Sequence, residues 1–216
     1  METCLIRCQQ EQLQNKRWFP HTFDLDLLLN YALSIAQQTV DCKIAFVSGY
    51  TLGSNTVIIF ISFDGCHEEL VSKSLVKYVD GETNIVMESE ASTMKLVELK
   101  TQIPVPHVYQ YSSTIRGNPV KWPYILMSKA KGVQLNWECT PIVRRKTVMR
   151  ELAKYLCQLS RLTFDEIGSI VALGDEFITT LSVLRSFSGN GAGPFRSAKD
   201  FYTDQLTCSV SGRCMY

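Results

Sequence analysis

Long hydrophobic runs are missing from this chain. Its most apolar stretches, Val57 to Ile61 and Ile125 to Met127, are strand-sized, far short of the ~20 residues a membrane-spanning helix requires. Residues 1 to 20 carry Glu2, Arg7, Glu11, Lys16 and Arg17 among scattered apolar side chains. They therefore have neither the unbroken core of a secretory signal nor the acid-poor pattern of a transit peptide. Charge of one sign is equally scarce. With 22 Lys+Arg against 21 Asp+Glu the net charge is +1, which provides no electrostatic drive toward nucleic acid or an anionic membrane surface, so neither is expected as a partner. The three histidines, His21, His67 and His107, are scattered, and none stands in a recognisable catalytic spacing with a serine, cysteine or carboxylate. Among the eight cysteines only Cys4 and Cys8 lie close, and no C-x-x-C pair or histidine partner accompanies them. Reduced, independent thiols are expected rather than a disulfide framework or a zinc site, and with them an intracellular, cytoplasmic setting.

What is present is an ordinary globular composition, 45% hydrophobic and 20% charged over 216 residues, enough for one good core or two small ones. No internal repeat or long low-complexity tract interrupts it. Residues 1–22 have no clear period and read as a lead-in. From Phe23 to Gln38, Leu27, Leu28, Tyr31, Ala32, Ile35 and Ala36 repeat at helical spacing behind Asp24, a capping residue. The period then shortens. Ile44, Phe46 and Val57 to Phe63 read as two strands around a turn from Gly49 to Asn55, Asp64-Gly65 as a hairpin turn, and Leu70 to Val79 as a third strand.

Glu82 to Lys100 returns to helical spacing, with Met87, Ala91, Met94 and Val97 on one face, and Pro104 requires the helix to end before it. Pro104 and Pro106 impose extended backbone. Val108 to Ser112 and Pro123 to Met127 read as a strand pair around Gly117-Asn118-Pro119. After Lys131-Gly132 the chain reads as helical, with Val148, Leu152, Tyr155, Leu156, Leu159 and Leu162 in one broad apolar stripe. Ile167 to Tyr216 reads as an irregular tail, most loop-like at Ser186 to Gly193. The expected fold class is α+β.

Two features bear on chemistry. Glu90 falls on or beside the apolar face of its helix, where an unpaired carboxylate is costly, so a basic partner from another element is expected. Lys73, in the middle of the third strand, is the natural candidate; Lys77 on the same strand face is a rival partner, and Glu88 a rival to Glu90. A boundary glutamate that reaches solvent is the plainer alternative. A strand lysine paired with a helix glutamate is how kinases hold ATP phosphates. The second feature is the turn Gly49 to Asn55, whose glycines would let backbone amides approach phosphate oxygens. It lacks a third glycine and is not a Walker A sequence, and most Gly/Ser hairpins bind nothing.

Taken in order, these pieces resemble the aminoglycoside phosphotransferase-like family, with its protein-kinase-like fold, and in particular its fungal branch. Gly53-Ser54-Asn55-Thr56-Val57-Ile58 looks like the family's glycine turn and second strand, and Leu70-Val71-Ser72-Lys73 like its third strand with the basic residue. Glu88 to Met94 is similar to the glutamate helix, Thr101 to Val108 to the T-x-I-P-V-P-x-V signature, and Asn118-Pro119-Val120 with Pro123 to Met127 to the strand entering the hinge. Lys131 to Leu135, Arg150 to Leu162, Phe164 to Ser169 and Gly193-Pro194-Phe195 follow the same order, so the resemblance covers residues 24 to 205.

It implies a small lobe over residues 23–127 (antiparallel sheet plus one helix), a hinge and partial large lobe over 128–205, and a divergent tail over 206–216. It further implies ATP as cofactor. Gly53, Ser54 and Asn55 would cover the phosphates, Lys73 held by Glu90 would contact them, and Met127 and Ser128 would lie at the adenine. A small-molecule hydroxyl would be the acceptor.

The departures are specific. The family's H-x-D…N loop and later metal-binding aspartate have no counterpart here: no H-x-D follows any histidine, and Ser128 stands where a glutamate is common. The expectation is therefore a phosphotransferase relative truncated before its catalytic loop, with no catalytic or metal-ligating residue of its own and inactive as this chain. Mg²⁺ would enter only with a longer form. The alternatives are a pseudokinase-like nucleotide-binding or interaction module, whose helix 148–162 a protein partner would cover, and an α+β protein unrelated to nucleotides.

Overall fold

The computed structural model describes residues 11–17, 19–76, 82–173, 176–180 and 193–210. Within them the chain forms two compact units, residues 1–91 with 107–129, and residues 92–106 with 130–216. The division does not follow the expected boundary at 127/128, because the stretch from Ser92 through Pro106 belongs with the second unit.

The first unit is built on a five-stranded antiparallel sheet. Its strands are β1 (Ala45–Leu52), β2 (Thr56–Phe63), β3 (Glu69–Leu75), β4 (Val108–Ser112) and β5 (Tyr124–Ser128), in the spatial order β1-β2-β3-β5-β4. Helix α1 (Leu25–Ala36) precedes the sheet, and α2 (Glu82–Lys100) lies in the chain between β3 and β4. The observed architecture is thus α+β, as the alternation of 3.6 and 2.0 periods implies.

Helix α1 begins where Asp24 caps it, the carboxylate accepting a hydrogen bond from Leu27 N–H at 3.0 Å. Its buried stripe, Leu25, Leu28, Leu29, Ala32 and Ala36, packs into one core with Val57, Ile59, Ile61 and Phe63 of β2, Leu70 of β3, and Tyr124 and Leu126 of β5. Leu13 and Phe19 of the lead-in, and Phe23 just before α1, join it, so these described residues pack on the core despite the lack of a period. Burial pushes the Tyr124 hydroxyl up to about 12, with Tyr31 adding to the rise. Because strand side chains alternate, Glu69, Val71, Lys73 and Leu75 occupy the other face of the sheet from the α1 core. The register sets Ile58 and Ile125 on either side of Lys73. The first unit therefore carries α1 as well as the part of α2 up to Ala91.

Two expectations for this unit need revision, both at the turn after β1. The turn expected over Gly49 to Asn55 shrinks to 53–55. Tyr50, Thr51 and Leu52 instead pair with Ile59, Ile58 and Val57, continuing the ladder, because β-branched and aromatic side chains gain more from cross-strand packing than from a loop. Gly49 sits at a register shift rather than in the turn. The third strand is described only as Glu69–Leu75; Lys77 and the rest of its expected course lie outside the described residues.

The second unit holds helix α3 (Ile142–Leu159), the hairpin β6 (Ser169–Leu173) with β7 (Glu176–Thr180), and α4 (Ala198–Val210). The helix expected after Lys131-Gly132 starts instead at Ile142, behind Pro141. Residues Asn136 to Thr140 turn on themselves, Cys139 N–H donating to the Asn136 side chain and Thr140 Oγ1 to its carbonyl. Arg145 reaches back to the Thr140 and Glu138 carbonyls. The tail is not irregular throughout. A hairpin and a helix occupy much of it, and α4 runs past residue 205, where the divergent segment was placed. Ser197 Oγ accepts from Asp200 N–H at 3.1 Å and donates to the Asp200 carboxylate at 2.7 Å, a capping arrangement that fixes the helix start. No helix among the described residues is long and apolar enough to cross a membrane.

Candidate functional site

Strand β3 and the first half of α2 bring the two residues singled out by charge into contact. Lys73 Nζ donates to Glu90 Oε1 at 2.5 Å, with about a fifth and a third of the side chains exposed (22% and 33%). The pair lies between Ile58 and Ile125 on the strands and beside Met87 and Ala91, buried one turn back and one residue on in α2. It is thus half-desolvated, which strengthens its field without isolating it from solvent. Glu88, the rival carboxylate, is engaged elsewhere: it accepts from Ser113 Oγ at 2.6 Å and Tyr111 Oη at 3.4 Å. These bonds tie the start of α2 to β4 and free Glu90 to face the sheet.

The glycine turn is tight. Gly53 N–H donates to Thr56 O at 2.7 Å. A Cβ on Gly53 would meet Thr56 Oγ1 at 3.1 Å and Thr56 O at 3.4 Å. A side chain at Gly53 would require Thr56 to give by a few tenths of an ångström, and the Gly53 amide is already used. Ser54 and Asn55 are exposed at the tip, and Asn55 O accepts from Val76 N–H at 2.9 Å. Of the three residues expected to cover phosphates, Ser54 and Asn55 have the accessible amides.

At the end of β5, Met127 is half-buried opposite Val71 and Val108. Ser128 is committed to the fold on both sides: its N–H donates to His107 O and its Oγ accepts from His107 N–H, each at 2.9 Å. This clamp gives the serine and the histidine structural work, and it leaves the expected adenine contact at Ser128 to its carbonyl. His107 also sets its ring edge-on to Tyr109, centroids 4.7 Å apart.

A second ion pair on the same sheet face escaped the sequence reading. Lys129 Nζ donates to Glu69 Oε2, Ser62 Oγ donates to Glu69 Oε1 at 3.2 Å, and the lysine ammonium stands 5.4 Å from the Phe60 ring centroid. The Lys129 hydrogen bond holds the Glu69 carboxyl below its ordinary range. A signal existed, since Glu69, Val71 and Lys73 alternate on one face, but the partner depends on a register that places Leu70 opposite Ser128. Another missed organiser is Asn118, buried in the β4–β5 loop. Its Nδ2 donates to Thr114 O and Trp122 O at 2.9 and 2.7 Å, and its Oδ1 accepts from Val120 N–H.

Cys42, Cys66, Cys139 and Cys157 are free thiols; the other four cysteine side chains lie outside what the structure describes. Among the described residues no group of three His, Cys, Asp or Glu could hold a metal ion.

No protein-family model matches the chain. It is similar to two curated proteins of Aspergillus fumigatus, from different strains, each described as a subtelomeric hrmA-associated cluster protein, at 28% identity over 120 residues. The match takes in 55% of this chain and 23% of each relative, so the chain spans less than a quarter of the length of those relatives.

Proposed function

We propose that the first unit is the nucleotide-binding small lobe of an ATP-dependent, kinase-like small-molecule phosphotransferase of the aminoglycoside phosphotransferase-like class. The observation that carries this reading is the Lys73–Glu90 pair, bonded from the middle of β3 to α2. A strand lysine held by a helix glutamate presents a fixed positive charge to α- and β-phosphates. Three features support it. The sheet order β1-β2-β3-β5-β4 has the helix emerging between β3 and β4. A glycine turn joins β1 to β2, and Lys73 has apolar walls in Ile58 and Ile125. Glu90 orients the lysine; the amides of Ser54 and Asn55 close over the phosphates; Met127 offers an apolar surface to the base. ATP, when bound, supplies the transferable γ-phosphoryl group.

The role assigned to these residues is binding. The base and Mg²⁺ ligands of transfer would come from a longer form, as would the acceptor pocket. An intracellular, cytoplasmic setting belongs to the same proposal, since free thiols persist there. A second reading, a nucleotide-binding or interaction module without catalysis, draws on α3. No residue of that helix is buried, and Leu152 and Leu156 are 46% and 57% exposed, an apolar stripe that a protein partner could cover.

The test is titration of ATP against the full chain, with Lys73→Ala and Glu90→Gln compared by calorimetry. Lys73→Ala removes a charged hydrogen bond to phosphate and should weaken ATP about tenfold or more; Glu90→Gln should weaken it less. ATP affinity identical in Lys73→Ala, or no binding at millimolar ATP, would overturn the reading.

A further inference from the structure

The second unit contains a cationic groove that no step above uses. Along α3, Arg150, Lys154 and Cys157 recur at i, i+4 and i+7 and so share one face. That face, with Arg161 just beyond the helix, lines a cavity of about 1010 Å³ whose other wall is Leu99 to Gln102. The wall is fixed in place: Gln102 N–H donates to Gln158 Oε1 at 2.7 Å, and Thr101 Oγ1 donates to Val97 O at 2.6 Å.

Among the described residues, four cations and no carboxylate line this cavity. Lys154 is paired with Glu151 at 2.7 Å. Among the described residues, no ion pair engages Lys100, Arg150 or Arg161. A second cavity, of about 460 Å³, adjoins the first through shared lining by Lys100, Arg161 and Leu162, and is otherwise walled by Leu96, Thr163, Phe164 and Phe177. Its character differs: Leu96 is buried, Phe177 half-buried, and Phe164 remains 45% exposed. Two cations with no ion-pair partner among the described residues therefore stand at the mouth of a small apolar, aromatic cavity, within the volume range of small-ligand sites.

We propose that this groove binds an aromatic organic phosphate, with the anionic group between Lys100 and Arg161 and the ring among Leu96, Leu162, Phe164 and Phe177. The phosphate receives a fork of donors from Arg161 and a point charge from Lys100. The ring gains apolar burial and stacking against phenylalanine. Arg150 and Lys154, farther along the larger cavity, accommodate additional negative charge on a longer ligand.

The experiment is calorimetric titration of the full chain with 1-naphthyl phosphate, alongside inorganic phosphate and uncharged 1-naphthol. The variants are Lys100→Gln, Arg161→Gln and Phe164→Ala, with Arg144→Gln, an exposed α3 cation outside the groove, as control. The expected result is saturable binding of naphthyl phosphate, weakened about tenfold or more by Lys100→Gln or Arg161→Gln and several-fold by Phe164→Ala. Arg144→Gln should leave it unchanged, and so should Lys73→Ala, which separates this site from the nucleotide site. Equal affinity for inorganic phosphate would refute the ring pocket. An equal loss in Arg144→Gln, or no binding at millimolar ligand, would refute the site. Unchanged melting temperatures in the groove variants, all at surface side chains, keep a folding defect from imitating either result.

Discussion

The Lys73–Glu90 pair can be weighed directly in a double-mutant cycle of Lys73→Met and Glu90→Gln. At the observed 2.5 Å separation, two unit charges attract with about 7 kcal/mol at an effective dielectric constant of ~20. Most of that is offset. Both side chains are drawn partly out of water between Ile58, Ile125 and the buried Met87 and Ala91, and both lose rotamer freedom. Exposed pairs retain ~0.2–1 kcal/mol, whereas removing one partner of a buried pair costs ~3–5 kcal/mol. A pair exposed by 22% and 33% falls between these limits, so a coupling energy of about 1–2 kcal/mol is expected.

Methionine preserves the aliphatic stem against its apolar neighbours, so the single variant Lys73→Met should lose stability mainly by leaving Glu90 unpaired. The double variant should recover most of that loss, since an apolar isostere often replaces a half-buried pair at no cost. Urea unfolding of the four proteins gives the coupling. Repeating it in about 1 M salt, where the screening length is ~3 Å, should reduce the coupling only partly, because the pair is half-covered. A coupling below about 0.3 kcal/mol, or one abolished by salt, would show the two groups to be independent and solvated. A full recovery in the double variant together with loss of ATP binding would mean that the charge serves the ligand and not the fold.

How far the residues foretold the structure depended on how local the controlling physics was. Helix α2 could be read from Glu82 to Lys100 because Met87, Ala91 and Val97 repeat on one face and Pro104 bars continuation. The cap at Asp24 and the strand Val108–Ser112 were equally local. The turn after β1 was overextended because Gly49, Gly53 and Ser54 look alike in composition, whereas only pairing shows that Tyr50 and Thr51 stay in the ladder opposite Ile59 and Ile58. The β6–β7 hairpin was overlooked behind the Gly- and Ser-rich stretch that follows it. Yet Ile170, Val171, Phe177, Ile178, Thr179 and Thr180 are β-formers standing on either side of Gly174-Asp175, a two-residue hairpin signal. At the site, an acid on an apolar helix face demanded a basic partner, so Lys73 and Glu90 could be found. Glu69 and Lys129 could not, being sixty residues apart and joined only by the register of β3 with β5. The Ser128–His107 clamp likewise requires that two distant segments meet.

Two further perturbations separate structural from functional polar groups. Ser72 and Ser74 are buried on the α1 side of β3, and neither hydroxyl has a hydrogen-bond partner among the described residues. Ser72→Ala and Ser74→Ala should therefore be neutral or stabilising by up to ~1 kcal/mol, and thermal melts showing a loss greater than that would mean the hydroxyls are satisfied. Acid stability turns on two carboxylates. The N–H groups of Ile44 and Lys43 hold Asp64 below its ordinary 3.8, and the Lys129 ammonium holds Glu69 below its ordinary 4.5. Groups with depressed values bind protons less readily folded than unfolded, so their stabilisation is complete above the unfolded values and lost as pH falls through the folded ones. Stability should be flat from neutrality to about pH 5 and fall below it. Asp64→Asn keeps an acceptor for the same two amides but cannot titrate, so it should flatten the acid limb of the unfolding profile while lowering stability at neutral pH. Glu69→Gln should flatten the part nearer 4.5. An acid limb unaltered in both variants would place the proton uptake on other carboxylates and remove these two from the account of what anchors β3 and the start of β1.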